Sequence, residues 1–292
     1  MSTTQLASRI RTHVTAGLLA PGLLLLAASP ALAHRLEKHF TVEPRAVITI
    51  HNPNGKITVR AWTKHEIMVV ANHDGSKVEV TAEQTGNRVD LRTEQFAASV
   101  SPDDLRADYE ISVPEDAELQ IHDDSGEVTI MNVLGDMNVE TVAAGVVVSD
   151  AAGYLTVKTV GGDFQCLRCA GRLEVSSISG SFKLVELRSY YVRAQSSTGS
   201  ILFDGEFLPN GIYRLKNYSG KIEVRFSPGD SFDLNAKSLK GTVNNDAKLT
   251  PPAHPQKYNN SKFGYAIGAF NAGRAKVELA SFDGTINVRK RD

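Results

Sequence analysis

The sequence predicts an all-β fold of short coils stacked on one another, and three observations lead there. Glycine-centred segments recur along the chain at steps of 18–21 residues. Each carries apolar residues two apart on both sides of its glycine, which is the period of a strand with one buried face. Val and Ile are abundant and long helix-forming runs are absent. The specific expectation is a single-stranded β-helix or flattened β-solenoid, one coil per repeat, with a hairpin-rich cap at its N-terminal end.

The repeat is read from its glycines. Leu119 and Ile121 precede Gly126 by seven and five residues, and Val128 and Ile130 follow it by two and four. The same spacing surrounds Gly162, Gly180, Gly199, Gly220 and Gly284. Ala144 replaces the glycine in one copy, Asn245 fills the last apolar slot after Gly241, and Gly55 carries Ile48, Ile50, Ile57 and Val59. From 126 to 241 the steps are 18, 18, 18, 19, 21 and 21 residues, making nine copies in all. One copy cannot bury its apolar face, whereas stacked copies bury a continuous core. Glycine fits a bend where the backbone is left-handed or crowded. Asp123, Thr141, Thr159, Ser177, Ser196, Asn217, Ser238 and Ser281 each stand three residues before a glycine or Ala144. Such side chains bond nearby backbone at turns, so they read as a corner ladder and not as nucleophiles, for which no recurring His partner exists.

The N-terminus reads as a secretory leader. Arg9 and Arg11 precede an apolar stretch from Leu18 to Ala28, and Ala31-Leu32-Ala33 supplies a cleavage pattern, placing the cut after Ala33. The stretch is too short, and too broken by Pro21, Gly22 and Pro30, for a membrane span. No second apolar span follows, so the mature chain is expected to be soluble, and the leader implies export to the periplasm, secretion or the cell surface. Residues 34–292 are expected to form a single domain. Loss of Arg9 and Arg11 takes the formal charge from −1 to −3. A balance this small gives no global case for nucleic acid or for an anionic membrane as a partner, so any electrostatic partner must be met by a local stripe.

The pattern breaks twice. Residues 63–115 hold alternating segments separated by turns such as Asp74-Gly75 and Gly86-Asn87, and read as a hairpin excursion that caps the array. Residues 245–273 read as a long loop insertion containing His254, Tyr258, Tyr265 and Phe270, either functional or disordered.

Taken together, these elements resemble the bacterial putative-adhesin family, a group of exported β-solenoid domains of unknown function. The resemblance rests on Asn54-Gly55-Lys56-Ile57-Thr58-Val59 followed by Trp62, and on Tyr109-Glu110-Ile111-Ser112-Val113-Pro114. The recurring Ser/Thr-x-x-Gly units and the closing Ser281-Phe282-Asp283-Gly284-Thr285-Ile286-Asn287-Val288 complete it. It covers residues 40 to 290 and implies a right-handed single-stranded β-helix. No catalytic residues come with it.

Candidate chemistry is sparse. Cys166-Leu167-Arg168-Cys169 has CxxC form, but Cys166 occupies a core slot; a core-plus-loop pair, a local disulfide, and redox or metal chemistry stay open in that order. His51, His65, His73, His122 and His254 lack ligand spacing, so no metal site, catalytic residue or cofactor is assigned. Val160-Gly161-Gly162-Asp163 is a single fragment of a calcium repeat. The acids scatter rather than stack, which weighs against a polysaccharide lyase or hydrolase. Outward positions six and four before the glycines include Lys158, Arg193, Arg214, Lys216 and Lys237, which stacked coils would align into a basic stripe. Its partner would be an anionic envelope polysaccharide or a partner protein. The expected function is a non-enzymatic, adhesin-like binding or scaffolding module of the cell envelope. The alternatives are a glycan-active β-helix enzyme and a structural or regulatory envelope protein without an external ligand.

Overall fold

The computed structural model describes residues 33–96, 101–251 and 264–291. The leader, apart from Ala33, lies outside the described residues, as do His254 and Tyr258. Strands account for nearly all regular structure, and the one helical element described is a 3₁₀ turn at Pro102–Leu105.

The N-terminal strands are β1 (Ala33–Thr41), β2 (Val47–Trp62), β3 (Glu66–Asp74), β4 (Val78–Thr85), β5 (Arg88–Gln95) and β6 (Ala107–Pro114). Next come β7 (Glu118–Met131), β8 (Met137–Thr141), β9 (Gly145–Ser149), β10 (Tyr154–Thr159), β11 (Phe164–Leu167), β12 (Ala170–Ser177) and β13 (Phe182–Ser196). The remainder are β14 (Ile201–Gly205), β15 (Ile212–Asn217), β16 (Lys221–Phe226), β17 (Phe232–Ser238), β18 (Val243–Asn245), β19 (Gly264–Phe270), β20 (Ala275–Ser281) and β21 (Thr285–Lys290).

Two ladders enclose the core. The first runs β4, β5, β2, β7, β8, β10, β12, β13, β15, β20, β17, β19. The second runs β1, β3, β6, β2, β7, β9, β11, β13, β14, β16, β21, β18. Parallel pairing dominates both, and antiparallel strands close their ends: β4 and β19 on the first, β1 and β3 on the second.

The all-β class holds, but the single-stranded β-solenoid with coils of 18–21 residues does not form. Long strands β2, β7 and β13 belong to both ladders, so the ladders join into one 21-stranded sheet wrapped on itself. The result is a closed parallel β-barrel core with extra strands added to it. Chain order is also broken, because β20 and β21 lie between β15–β16 and β17–β18. The physical reason is that apolar alternation is the same in every segment. Any order of neighbours buries the same face, so periodicity fixes inside and outside but not adjacency.

The nine glycine-centred segments lie side by side in the order 55, 126, 144, 162, 180, 199, 220, 284, 241. A β-carbon built on Gly180 would stand 2.0 Å from the Gly162 carbonyl oxygen, and one on Gly284 would stand 2.0 Å from that of Gly220. Crowding therefore requires glycine at most of these positions. Left-handed backbone adds to the requirement at Gly126, where φ is +118°. The polar residues three places earlier bind this line together. Ser196 Oγ accepts a hydrogen bond from Gly199 N at 2.9 Å and donates to Gly180 O at 2.9 Å. Ser238 does the same with Gly241 N and Gly284 O.

Inward side chains of both ladders form one apolar cluster running from Val42 to Val288. Ile222 and Val224 are fully buried, whereas Lys221 points to solvent. Glu223 is less outward than alternation predicts, because Lys221 and Arg225 clamp its carboxylate. Cys166 lies in the core and is bonded to Cys169, so of the open alternatives the local disulfide is the one that forms. An aromatic block of Phe203, Phe207, Tyr213, Phe226, Phe232 and Phe270 fills the C-terminal end. Residues Leu32–Asp292 form one compact unit.

Two glycines two bends apart should respond oppositely to alanine. Gly180→Ala forces a backbone shift and should cost at least about 1–3 kcal/mol, as overpacking does. Gly145 has no atom within 4 Å of its added β-carbon, so Gly145→Ala should stabilise by about 0.4–1 kcal/mol through the unfolded chain. Denaturant midpoints of the two variants measure this; equal loss in both contradicts the crowding account.

Candidate binding surfaces

The basic stripe expected on the first ladder is broken up by its neighbours. Lys158 Nζ donates to Glu140 Oε1 at 3.0 Å, and this bond holds the Glu140 carboxyl below the usual carboxylate range. Arg214 Nε donates to Glu278 Oε2 at 3.0 Å, which raises the guanidinium's affinity for its proton. Arg193 bonds Gln195 and stands beside Arg214 in register. Lys216 is exposed between Gln195 and Ala280, and Lys237 lies beyond Ala280. Only Arg193 and Arg214 among the five are brought to adjacent positions. Arg172, next to Arg193's strand, is held between the rings of Tyr154 and Tyr191 at 4.8 and 4.4 Å and bonds Glu174. This face presents paired charges and not a continuous basic field.

The second ladder carries a shallow trough of about 470 Å³ that crosses β7, β9, β11, β13, β14 and β16. It exists because the residue after each glycine position is small in the middle of the array. Gly145, Asp163, Ser181 and Ser200 lie between the larger Glu127 and Lys221. The short side chains are used by the backbone: Ser181 N donates to Asp163 Oδ1 at 2.8 Å, and Ser200 N donates to Ser181 Oγ at 3.2 Å. Two residues further along each strand, Val147, Gln165, Lys183 and Leu202 line up in register. The trough thus sets aliphatic, amide, ammonium and hydroxyl groups side by side at the strand spacing of about 4.8 Å. Its sequence signal was available in the small residues that follow the glycines.

A third feature lies at the N-terminal end. The rings of His51 and His122 stack with centroids 4.7 Å apart and planes within 5°. Burial, followed by the charges of His122 and Arg92, lowers the His51 pKa below the ordinary histidine value. His122 Nδ1 lies 3.7 Å from Glu140 Oε2. With Thr93, Gln95 and Asp124 the pair lines a cleft of about 310 Å³. Beside it in the chain, Asp123 is 1% exposed in the corner ladder; neither carboxyl oxygen meets hydrogen-bond geometry among the described residues, and the neighbouring Asn52 amide only partly offsets its burial. Burial pushes its carboxyl up to about 7. His73 approaches only His34, and His65 joins neither pair. Among the described residues no three His, Cys, Asp or Glu side chains gather as metal ligands. Tyr265 is exposed on β19, whereas Phe270 packs into the aromatic block.

The Toastrack DUF4097 family model matches residues 46–289, nearly all of the array that builds these surfaces. The chain belongs to the Toastrack DUF4097 family. The membership accords with the resemblance to putative adhesins carried by the Asn54–Trp62 and Ser281–Val288 motifs. No curated protein matches this Toastrack chain. Solved structures similar to it include a putative adhesin from Bacteroides fragilis NCTC 9343, at 12% identity and TM-score 0.35, covering 88% of this chain and 97% of that one. A putative lipid binding protein from Parabacteroides distasonis ATCC 8503 matches at 11% identity and TM-score 0.39, over 88% and 97%. A putative cell adhesion protein from Clostridium sporogenes ATCC 15579 matches at 11% identity and TM-score 0.27, over 88% and 100%.

In this Toastrack domain Asp123 is the one acid in the corner column, where Asn52 and Asn217 fill equivalent places. Its folded pKa of about 7 exceeds the unfolded value near 4, so the folded state holds the proton more tightly. Stability from this group is complete below pH 4 and is lost as pH rises to 7. Asp123→Asn should therefore raise the melting temperature more at pH 8 than at pH 5. Equal shifts at the two pH values would contradict a buried, protonated carboxyl.

Proposed function

We propose that this protein is an exported, non-enzymatic binding module of the bacterial cell envelope that takes an extended anionic polysaccharide across the trough of its second face. The observation that carries the reading is the trough's file of groups. Val147, Gln165, Lys183 and Leu202 stand one per strand at the strand spacing, with the hydroxyls of Ser181 and Ser200 beside them. An extended polymer with regularly spaced hydroxyl and acid groups can meet such a surface at several points along its length. Lys183 stands exposed mid-trough, supplying positive charge for acidic sugars, while Lys221 at one end is paired with Glu223. The leader pattern of the first 33 residues supports the envelope setting.

The arrangement of acids supports a binding role over glycan cleavage. Glu127 and Asp163 both line the trough, but they are exposed, with β9 between their strands. A general acid for glycoside cleavage needs an environment that holds its proton, as burial does. Asp163 is instead engaged by Ser181 N.

Retention of purified protein on immobilised capsular and cell-wall polymers tests the proposal. Ser181→Arg combined with Lys183→Glu should reduce retention about tenfold or more, the loss of roughly 1.4 kcal/mol. Arg193→Glu combined with Lys216→Glu, on the opposite ladder, should leave it unchanged. The reverse pattern would move the site to the first face. Polymer cleavage abolished by Glu127→Gln or Asp163→Asn would replace the binding reading with an enzymatic one.

A further inference from the structure

The corner where the two ladders meet carries a row of outward apolar side chains that the core does not use. Two residues before the bend position in each segment from Ala144 onward stand Val142, Val160, Ile178, Ser197, Tyr218, Phe282 and Leu239. Backbone bonds tie them into single file. Gly161 N donates to Val142 O, Ile178 N to Val160 O, Ser197 N to Ile178 O, and Tyr218 N to Ser197 O. Phe282 N then donates to Tyr218 O and Lys240 N to Phe282 O, which brings Leu239 to the end of the row. Six steps at the strand spacing of about 4.8 Å make a ridge roughly 30 Å long. Val142, Val160, Ile178, Tyr218 and Leu239 are between 44% and 59% exposed. A monomer that keeps isolated apolar residues at its surface needs no explanation, but two runs of three, Val142 to Ile178 and Tyr218 to Leu239, parted only by Ser197, mark an interaction site.

We infer that this ridge docks the protein on an anionic lipid surface. Its form argues against the other occupants. Six apolar side chains in single file are far fewer than the roughly 20–30 residues each partner gives to a stable protein interface. A sugar packs on the open face of an aromatic ring. Here Tyr218 and Phe282 stack on each other, with centroids 4.6 Å apart and planes within 11°, and Lys240 Nζ lies 4.9 Å from the Phe282 ring. Phe282 is thereby stacked on Tyr218 and approached by Lys240, which leaves less of its ring free to carry a sugar. A narrow corner of aliphatic and aromatic side chains fits insertion among lipid headgroups and the first methylenes beneath them, which requires no matching groove.

Charge is distributed to suit that orientation. Around the aromatic end stand Lys216, Lys221, Lys237 and Lys240, against Asp283 and the Glu223 that pairs with Lys221. Around the aliphatic end stand Asp124, Glu140 and Asp163, against Lys158 alone. The basic, aromatic end is the part suited to anionic headgroups, since Tyr favours the interface and Lys is drawn to negative surface potential.

Sedimentation with vesicles tests this, using the unit from Leu32 onward so that the apolar N-terminal stretch contributes nothing. Vesicles of equal parts phosphatidylglycerol and phosphatidylethanolamine are compared with phosphatidylcholine alone. The protein should bind the anionic vesicles. Ile178→Asp with Tyr218→Asp should reduce that binding about tenfold or more. Lys216→Glu with Lys240→Glu should remove the preference for anionic lipid. Thr156→Asp, on the first ladder away from the corner, should bind as the unaltered chain does. Because the ridge positions are exposed, melting temperatures should match across all variants, and Ile178→Ser with Tyr218→Ser repeats the test without added charge. Absence of binding to anionic vesicles, or equal binding by the ridge variants, overturns the inference. So does a dimer in sedimentation velocity that the ridge substitutions dissociate, which would assign the ridge to a second copy. Polymer retention by the trough is measured separately, so either proposal can fail while the other stands.

Discussion

One contact sets the geometry of the whole molecule: the carbonyl of each glycine presses on the next glycine where the chain turns from one ladder into the other. At Gly162, Gly180, Gly199 and Gly284 an added β-carbon would lie about 2 Å from the facing backbone oxygen. That line fixes how closely neighbouring segments approach, and both ladders inherit its spacing. The Ser and Thr hydroxyls three residues earlier then satisfy backbone groups that the bend would otherwise leave unbonded. With the bend held, apolar residues on either side can only point inward, and a single continuous core follows.

Much of this was legible in the sequence because it depends on local spacing. Which residues face inward, such as Ile222 and Val224, follows from alternation. So does the role of the serines at the corner. What spacing does not carry is adjacency. The 43-residue step from Gly241 to Gly284 says nothing about which segment the last one will join, and it inserts ahead of Gly241 rather than after it. Nor does the pattern reveal that a strand continues through Gly55 and Gly126, which is what joins both faces into one closed sheet. The hairpin strand β4 is visible as an alternating segment, whereas β19 falls inside the stretch read as a loop insertion, and the antiparallel docking of both at the ladder ends is a tertiary outcome.

The fate of the basic stripe follows from the same limitation. Arg214 looks unpaired while the chain is read in order, because the next segment in sequence offers Asn235. The segment that settles beside it brings Glu278 instead. A charge pattern computed from the wrong neighbours gives the wrong field. The trough and the corner ridge would have survived such an error, since each depends on the kind of residue at one offset from the glycine and not on the order of the segments. Small residues one place after it open the trough, and apolar residues two places before it build the ridge.

Asp123 shows what the corner column tolerates. An ordinary carboxylate gains nothing from burial without a partner, and the column elsewhere uses Asn, Ser or Thr. Held near neutrality by its surroundings, this acid can occupy the place only by keeping its proton, behaving there as the amides of Asn52 and Asn217 do. The stacked histidines on adjacent residues face outward into a cleft, so the most proton-sensitive part of the molecule sits at the end away from the aromatic ridge. The trough lies between them on the other side of the glycine line. Surfaces arranged along one axis by one spacing suit partners that are themselves extended, a polymer chain or a plane of lipid. A compact ligand would require groups to converge from several directions, and here the strands present them in file.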